Sequence, residues 1–161
     1  LSKAGADILI APNASPYHRF NIHERRVQAE ARVRESGLPF IYVNQTGGQD
    51  ELVFDGNSFI LNEKGEIIFA CALFQENCYR VKLAQEADGC WVSPDSIITP
   101  ALEKEEEIYT ALMLGLRDYV KKNGFSGVLL GLSGGIDSAL AAAIAVDALG
   151  TAPVSAYMMP S

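Results

Sequence analysis

"GLSGGIDSAL", residues 131–140, packs two hydroxyls, two glycines and a carboxylate into the six residues from Ser133 to Ser138. The apolar run "GVLLGL" (127–132) precedes it, and the alanine-rich run "ALAAAIAVDAL" (139–149) follows it. A short apolar run bounded by glycines reads as a buried strand, and the longer alanine-rich run reads as a helix. "PVSAYMM" (153–159) then begins another strand. A strand over 127–132, a tight turn, a helix over 137–149 and a second strand make the opening of a doubly wound parallel sheet.

The turn has a chemistry of its own. A helix amino end has unpaired N–H groups and a partial positive charge, and both attract an anion. Gly134 and Gly135 let the backbone approach phosphate oxygens, and Ser133 and Ser138 add hydroxyl donors. Asp137 would repel a phosphate directly, so beside one it makes sense as a ligand of Mg²⁺ or of Mg²⁺-bound water. The string lacks the GK[ST] of a Walker A loop and is not GxGxxG. A capped structural turn is the alternative, since Asp is common at the start of a helix.

Upstream, residues 103–123 read as a helix with Ile108, Leu112, Leu116, Tyr119 and Val120 on one stripe. Its acidic first turn, its Lys121 and Lys122, and Gly124 after them complement the helix dipole and its stop. Residues 85–102 have no period and contain Gly89, Pro94 and Pro100, the composition of a linker. Residues 1–84 have a different texture. "ADILIAPN" reads as a strand and "NIHERRVQAEARVRES" (21–36) as a charged helix, stopped by Gly37 and Pro39. "PFIYVNQ" is a strand, "TGGQDE" a loop, and "SFIL" and "EIIFA" flank Gly65 as a hairpin; "YRVKLA" alternates apolar and polar. Three segments follow: 1–84, a linker over 85–102, and 103–161.

The chain has 161 residues, 48% hydrophobic and 20% charged, with no apolar run near the roughly 18–20 residues of a membrane span. It has no signal-peptide layout and no initiator Met, and reads as an internal piece of something longer. Residues 1–84 hold 9 Lys and Arg against 10 Asp and Glu; residues 85–161 hold 4 against 10. An acidic second half argues against nucleic acid as a partner. Cys71, Cys78 and Cys90 are an odd count without CxxC spacing, as expected of reduced thiols in a cytoplasmic protein. None stands beside a base at an exposed strand-to-helix turn, so none is expected to be a nucleophile. His18 and His23 face different ways on a helix and are not expected to bind metal.

"SGGIDS" after an apolar strand resembles the pyrophosphate loop of N-type ATP pyrophosphatases, which cleave ATP to AMP and pyrophosphate while adenylating a substrate. "GLSGGIDSALAAAIAVDALG" and "VSAYMMPS" resemble the NAD synthetases within that group. "GADILIAPNASPYH" and "LPFIYVNQTGGQDELVFDGNSFILNEKGEII" resemble the carboxyl-terminal half of a nitrilase-type amidase domain. The two in this order are similar to the glutamine-dependent NAD synthetases. The resemblance implies the carboxyl-terminal part of a nitrilase-like αββα layer domain, joined to the start of a Rossmann-like ATP pyrophosphatase domain. It implies ATP-dependent amidation of nicotinic acid adenine dinucleotide (deamido-NAD) to NAD, with ammonia from L-glutamine. It also implies Mg²⁺, a homo-oligomer, and neither nucleic acid nor membrane as partner.

Residue by residue, the resemblance assigns ATP binding to Gly131, Leu132, Ser133, Gly134, Gly135, Ile136, Asp137 and Ser138, with Asp137 at the Mg²⁺ position. It assigns a glutamine contact to Ser15 in "NASP"; a turn-capping Ser before Pro16 is the structural alternative. The family's Gly-Lys pair falls on Phe20 and Asn21, so Asn21 keeps a hydrogen bond without the charge, and Arg19 is a candidate substitute. Asn44 and Gln45 lie near the expected pocket. The glutaminase Glu, Lys and Cys are expected upstream of Leu1, which leaves these residues alone inactive, and an open apolar sheet edge predicts poor solubility for them. Competing readings are another ATP pyrophosphatase such as a GMP synthetase or a tRNA thiolase, a stand-alone carbon–nitrogen hydrolase, and a non-catalytic nucleotide-binding or assembly module.

Overall fold

A narrow apolar line organises the first compact unit, residues 1–46 and 54–102 of a computed structural model that describes residues 1–159. Helix α1 (Asn21–Ser36) buries only Arg25, Ala29 and Val33, spaced by four, so they share one face. Gly37 ends the helix with φ +69, donating its N–H to the Val33 carbonyl. Ala29 and Val33 pack on a sheet formed by β1 (Leu9–Asn13), β2 (Phe40–Asn44), β5 (Phe59–Leu61) and β6 (Ile67–Ala70), in that spatial order. β1 and β2 are parallel; β2–β5 and β5–β6 are antiparallel. Alternate residues Phe40, Tyr42 and Asn44 of β2 are buried, and Tyr42 stacks on Phe59 with centroids 5.1 Å apart. Burying each large apolar side chain of this layer contributes about 1.5–3 kcal/mol. The hairpin at Gly65 is present, with φ +82 there.

The segment "YRVKLA" is largely irregular, contrary to its alternation. Only Ala84–Gln85 (β7) pairs, antiparallel with Trp91–Val92 (β8) inside the stretch read as a linker.

The second unit contains residues 47–53 together with 103–161. Helix α2 is Lys104–Lys122, β9 is Val128–Leu132, α3 is Ile136–Leu149 and β10 is Val154–Met158. β10 pairs with β9 in parallel, Val154 opposite Val128 through Met158 opposite Leu132, as strand, turn, helix and strand require. The apolar stripe read on α2 is only partly the buried one. Ala111, Leu114 and Val120 are buried, whereas Ile108, Leu112 and Tyr119 are exposed. "TGGQDE", read as a loop, lies in a strand pair, β3 (Thr46–Gln49) and β4 (Leu52–Asp55). Its tip is anchored on α2: the Gly48 N–H donates to Asp118 Oδ2 at 2.8 Å and Lys122 Nζ donates to the Gly48 carbonyl at 2.5 Å. A side chain at Gly48 would come within 3.1 Å of the Gly115 Cα, so the close approach selects glycine. Leu129, Tyr157 and Met158 of β9 and β10 are exposed.

Gly127 enters β9 with no room for a Cβ, which would overlap the Pro153 carbonyl that accepts the Val128 N–H at 2.9 Å. Gly127→Ala is expected to destabilise the β9–β10 pair by about 1–3 kcal/mol, the usual cost of overpacking. A lowered melting temperature of the full-length protein checks this; an unchanged one would contradict the strand register.

Candidate functional site

Two places combine uncommitted polar groups with a fold-imposed geometry. The first is the amino end of α3. Gly134 has φ +83, a left-handed conformation that favours glycine. Gly135 is the N-cap, extended at φ −84 and ψ 159, and no side chain caps the helix among the described residues. The first backbone bond back to the cap comes from Ala139 to the Gly135 carbonyl at 3.2 Å, so the amides before it face outward. The two serines are less free than expected. Ser138 Oγ donates to the Gly135 carbonyl at 2.9 Å, and Ser133 Oγ lies 3.3 Å from Ser138 Oγ. Each hydroxyl has one proton, so Ser138 accepts from Ser133. The available donors here are chiefly backbone N–H groups, and Asp137 stands exposed in the first turn.

An anion fits this end of α3, because its amides are uncapped and the glycines keep side chains away. A divalent cation fits only as a shared one. No group of three His, Cys, Asp or Glu among the described residues can hold a metal, so Asp137 would supply one oxygen and phosphates and water the rest.

The second place is the loop after β1. The Ser15 N–H donates to Asn44 Oδ1 at 2.9 Å, and Asn44 Nδ2 donates back to the Ser15 carbonyl at 3.1 Å. Asn21 Nδ2 donates to Ser15 Oγ at 3.2 Å and to the Pro16 carbonyl at 2.6 Å, so its amide secures the loop. The Arg19 guanidinium lies over the Phe20 ring, 5.5 Å from its centroid. The cation at Ser15 is instead Arg25, one of several charges on the α1 sequence. Its Nε donates to Ser15 Oγ at 3.1 Å, and its Nη2 to the Ser15 and Pro16 carbonyls at 3.0 Å each. Its Nη1 lies 2.8 Å from both oxygens of Asp55, which is fully buried. One available signal was its spacing, four residues before Ala29 and eight before Val33.

A cavity of about 570 Å³ opens beside this loop, lined by Asn13, Ser15, Asn21, Arg25 and Tyr42 among others. The Tyr42 hydroxyl is buried in that wall, with the Ser15 and Asn13 side chains close enough to interact with it. Burial is the main cause that pushes its phenol up from the ordinary range. Gln45 accepts the Gly56 N–H through its backbone, a structural role.

All three cysteines are free thiols. Burial pushes the Cys71 thiol up, and hydrogen bonding with Glu63 followed by burial pushes the Cys90 thiol up. Raised thiols are poor nucleophiles at neutral pH.

The family model for carbon–nitrogen hydrolases matches residues 1–88, and that for NAD synthase matches residues 108–161. The chain is 48% identical over 161 residues to the glutamine-dependent NAD(+) synthetase of Rhodobacter capsulatus, covering 100% of this chain and 29% of that protein. The synthetase of the same name from Acinetobacter baylyi is 44% identical over 162 residues, with 99% and 29% covered. Among solved structures, the glutamine-dependent NAD+ synthetase of Acinetobacter baumannii in complex with adenosine diphosphate superposes with a TM-score of 0.87 at 44% identity. That match covers 99% of this chain and 30% of that one. The Cytophaga hutchinsonii synthetase shares the fold, with a TM-score of 0.69 at 24% identity over 93% of this chain and 25% of that one. The chain thus spans less than a third of the length of these relatives.

Proposed function

We propose, from the premise that the chain belongs to the carbon–nitrogen hydrolase family, that the full-length protein carrying it is a glutamine-dependent NAD synthetase. Residues 1–84 belong to the glutamine-hydrolysing part, 85–102 connect, and 103–161 begin the synthetase part, a division supported by the order of the two family matches. The observation that carries the reading is the uncapped amino end of α3, which offers backbone donors to an anion and places Asp137 beside them.

In this reading the α3 amides and the glycine turn over Gly131–Ser138 hold the phosphates of ATP, and Asp137 holds Mg²⁺. The ion supplies positive charge where the leaving pyrophosphate gains negative charge. Gly134 sets the turn, and Ser133 and Ser138 brace it through their mutual bond. Ser15 contacts glutamine, and Asn21 secures the Ser15 loop instead of replacing the family's lysine charge. Ammonia released from glutamine would then attack the acyl carbon of adenylated deamido-NAD, forming the C–N bond of NAD as the C–O bond to AMP breaks and one proton is lost from the nitrogen. The raised Cys71 and Cys90 thiols speak against either of them as the glutaminase nucleophile. The enzyme is read as a cytoplasmic homo-oligomer acting on small molecules, with neither nucleic acid nor membrane as partner. No helix among the described residues is long and apolar enough to cross a membrane.

The test is stoichiometry. The full-length protein, given deamido-NAD, ATP, Mg²⁺ and glutamine, is expected to form one AMP and one pyrophosphate per NAD, and to do so with ammonium in place of glutamine. Release of ADP and phosphate, or no NAD with either nitrogen donor, would reject the reading.

A further inference from the structure

The Ser15 hydroxyl has one proton and two lone pairs. Arg25 Nε–H and Asn21 Nδ2–H point at its oxygen from 3.1 and 3.2 Å, so both lone pairs are engaged. What remains to Ser15 is its O–H. Arg25 cannot reverse the polarity, because a guanidinium has donors only and does not deprotonate in proteins. Nor can it swing away easily. Asp55 holds Nη1 through both carboxylate oxygens, two backbone carbonyls hold Nη2, and the pair is buried. Asn44 fixes the Ser15 backbone from the other side. Asp55 also neutralises the guanidinium, so the loop gains a polarised donor rather than a net positive charge. Beside Ser15, the buried Tyr42 side chain lines the same cavity with Asn13, Asn21 and Arg25, so its wall is polar on this side.

We propose that Arg25 is a positioning residue that locks the Ser15 hydroxyl as a hydrogen-bond donor, so that Ser15 recognises an oxygen acceptor of the substrate, a carboxylate or carboxamide, and not its ammonium group. This rests on the glutaminase reading of the cavity. Arg25 touches no substrate itself; it acts through Ser15. Asn21 shares the task, which explains why an uncharged side chain suffices at that position.

The experiment is a mutant cycle in the full-length protein, with KM for glutamine read against ammonia-driven NAD formation. Ser15→Ala is expected to raise KM for glutamine about tenfold or more. Arg25→Lys, which loses the fork, should raise it several-fold, and the double variant should be no worse than Ser15→Ala alone. Additive losses, or equal damage to the ammonia route, would make Arg25 a general structural residue and overturn the proposal. If Arg25→Lys does not fold, Asp55→Asn, which frees the guanidinium with little change of volume, takes its place in the cycle. The acceptor claim has its own arm: 4-carbamoylbutanoate, glutamine without its α-ammonium, is measured as a competitive inhibitor. Its binding should weaken with Ser15→Ala as glutamine's does. Binding that is absent, or indifferent to Ser15→Ala while glutamine's is sensitive, would assign the hydroxyl to the ammonium and overturn the proposal. If Ser15→Ala leaves KM for glutamine unchanged, the glutaminase reading of the cavity fails first and the proposal with it.

Discussion

Replacing Asp137 with Asn in the full-length protein is expected to lower NAD formation by about 100-fold or more, with glutamine and with ammonia alike. The substitution keeps the shape of the first turn of α3 and removes one negative charge. Asp137 is the carboxylate beside the uncapped amides, and no three-residue metal cluster stands among the described residues to replace it. A cation held by phosphates, water and one protein oxygen loses its anchor when that oxygen becomes an amide. Removing one electrostatic stabiliser costs about 2.7–4 kcal/mol in the transition state, and about 1.4 kcal/mol is a factor of ten. On the proposed function both nitrogen donors need the same adenylated substrate, so the loss must not depend on the donor. Rates measured with saturating ammonium and with glutamine check this. Near-normal synthesis by Asp137→Asn with ammonium would remove the α3 amino end as the ATP site.

Ser15→Ala is expected to behave in the opposite way, lowering kcat/KM for glutamine by about 10- to 100-fold and leaving ammonia-driven synthesis near normal. A hydrogen bond to a charged or strongly polar group is worth about 1.5–3 kcal/mol, which sets that range. The loop itself should survive the change. Asn44 holds the Ser15 backbone at 2.9 and 3.1 Å, and Arg25 keeps its bonds to the two carbonyls and to Asp55. Steady-state kinetics with each donor separate the two routes. Equal damage to both would show that the first part of the chain is not a glutaminase.

Local patterns in the chain were enough for much of the architecture. Helix α1 was legible to its ends, because Gly37 can take the positive φ that a helix stop needs and Pro39 follows. The Gly65 hairpin and the β9–α3–β10 unit were legible too, since period and glycine placement are properties of neighbouring residues. The turn at Gly134 and the start of α3 were legible for the same reason, since glycine placement and helix onset are local. The hairpin β3–β4 was not legible. Its residues Thr46–Gln49 have no apolar alternation, and its tip is held by Asp118 and Lys122 of α2, some seventy positions away. The buried side of α2 was only half legible, because a stripe of apolar residues does not say which neighbours the packing supplies. Arg25 is the sharpest case. In sequence it is one charge among many on a charged helix; buried, it needs a partner and several acceptors. Asp55, thirty residues on, and the Ser15 and Pro16 carbonyls provide them only once β1, α1 and β4 have been brought together. Period and turn chemistry act over a few residues and can be read directly, whereas the desolvation of a charge is repaid by groups distant in the chain and is decided by tertiary packing.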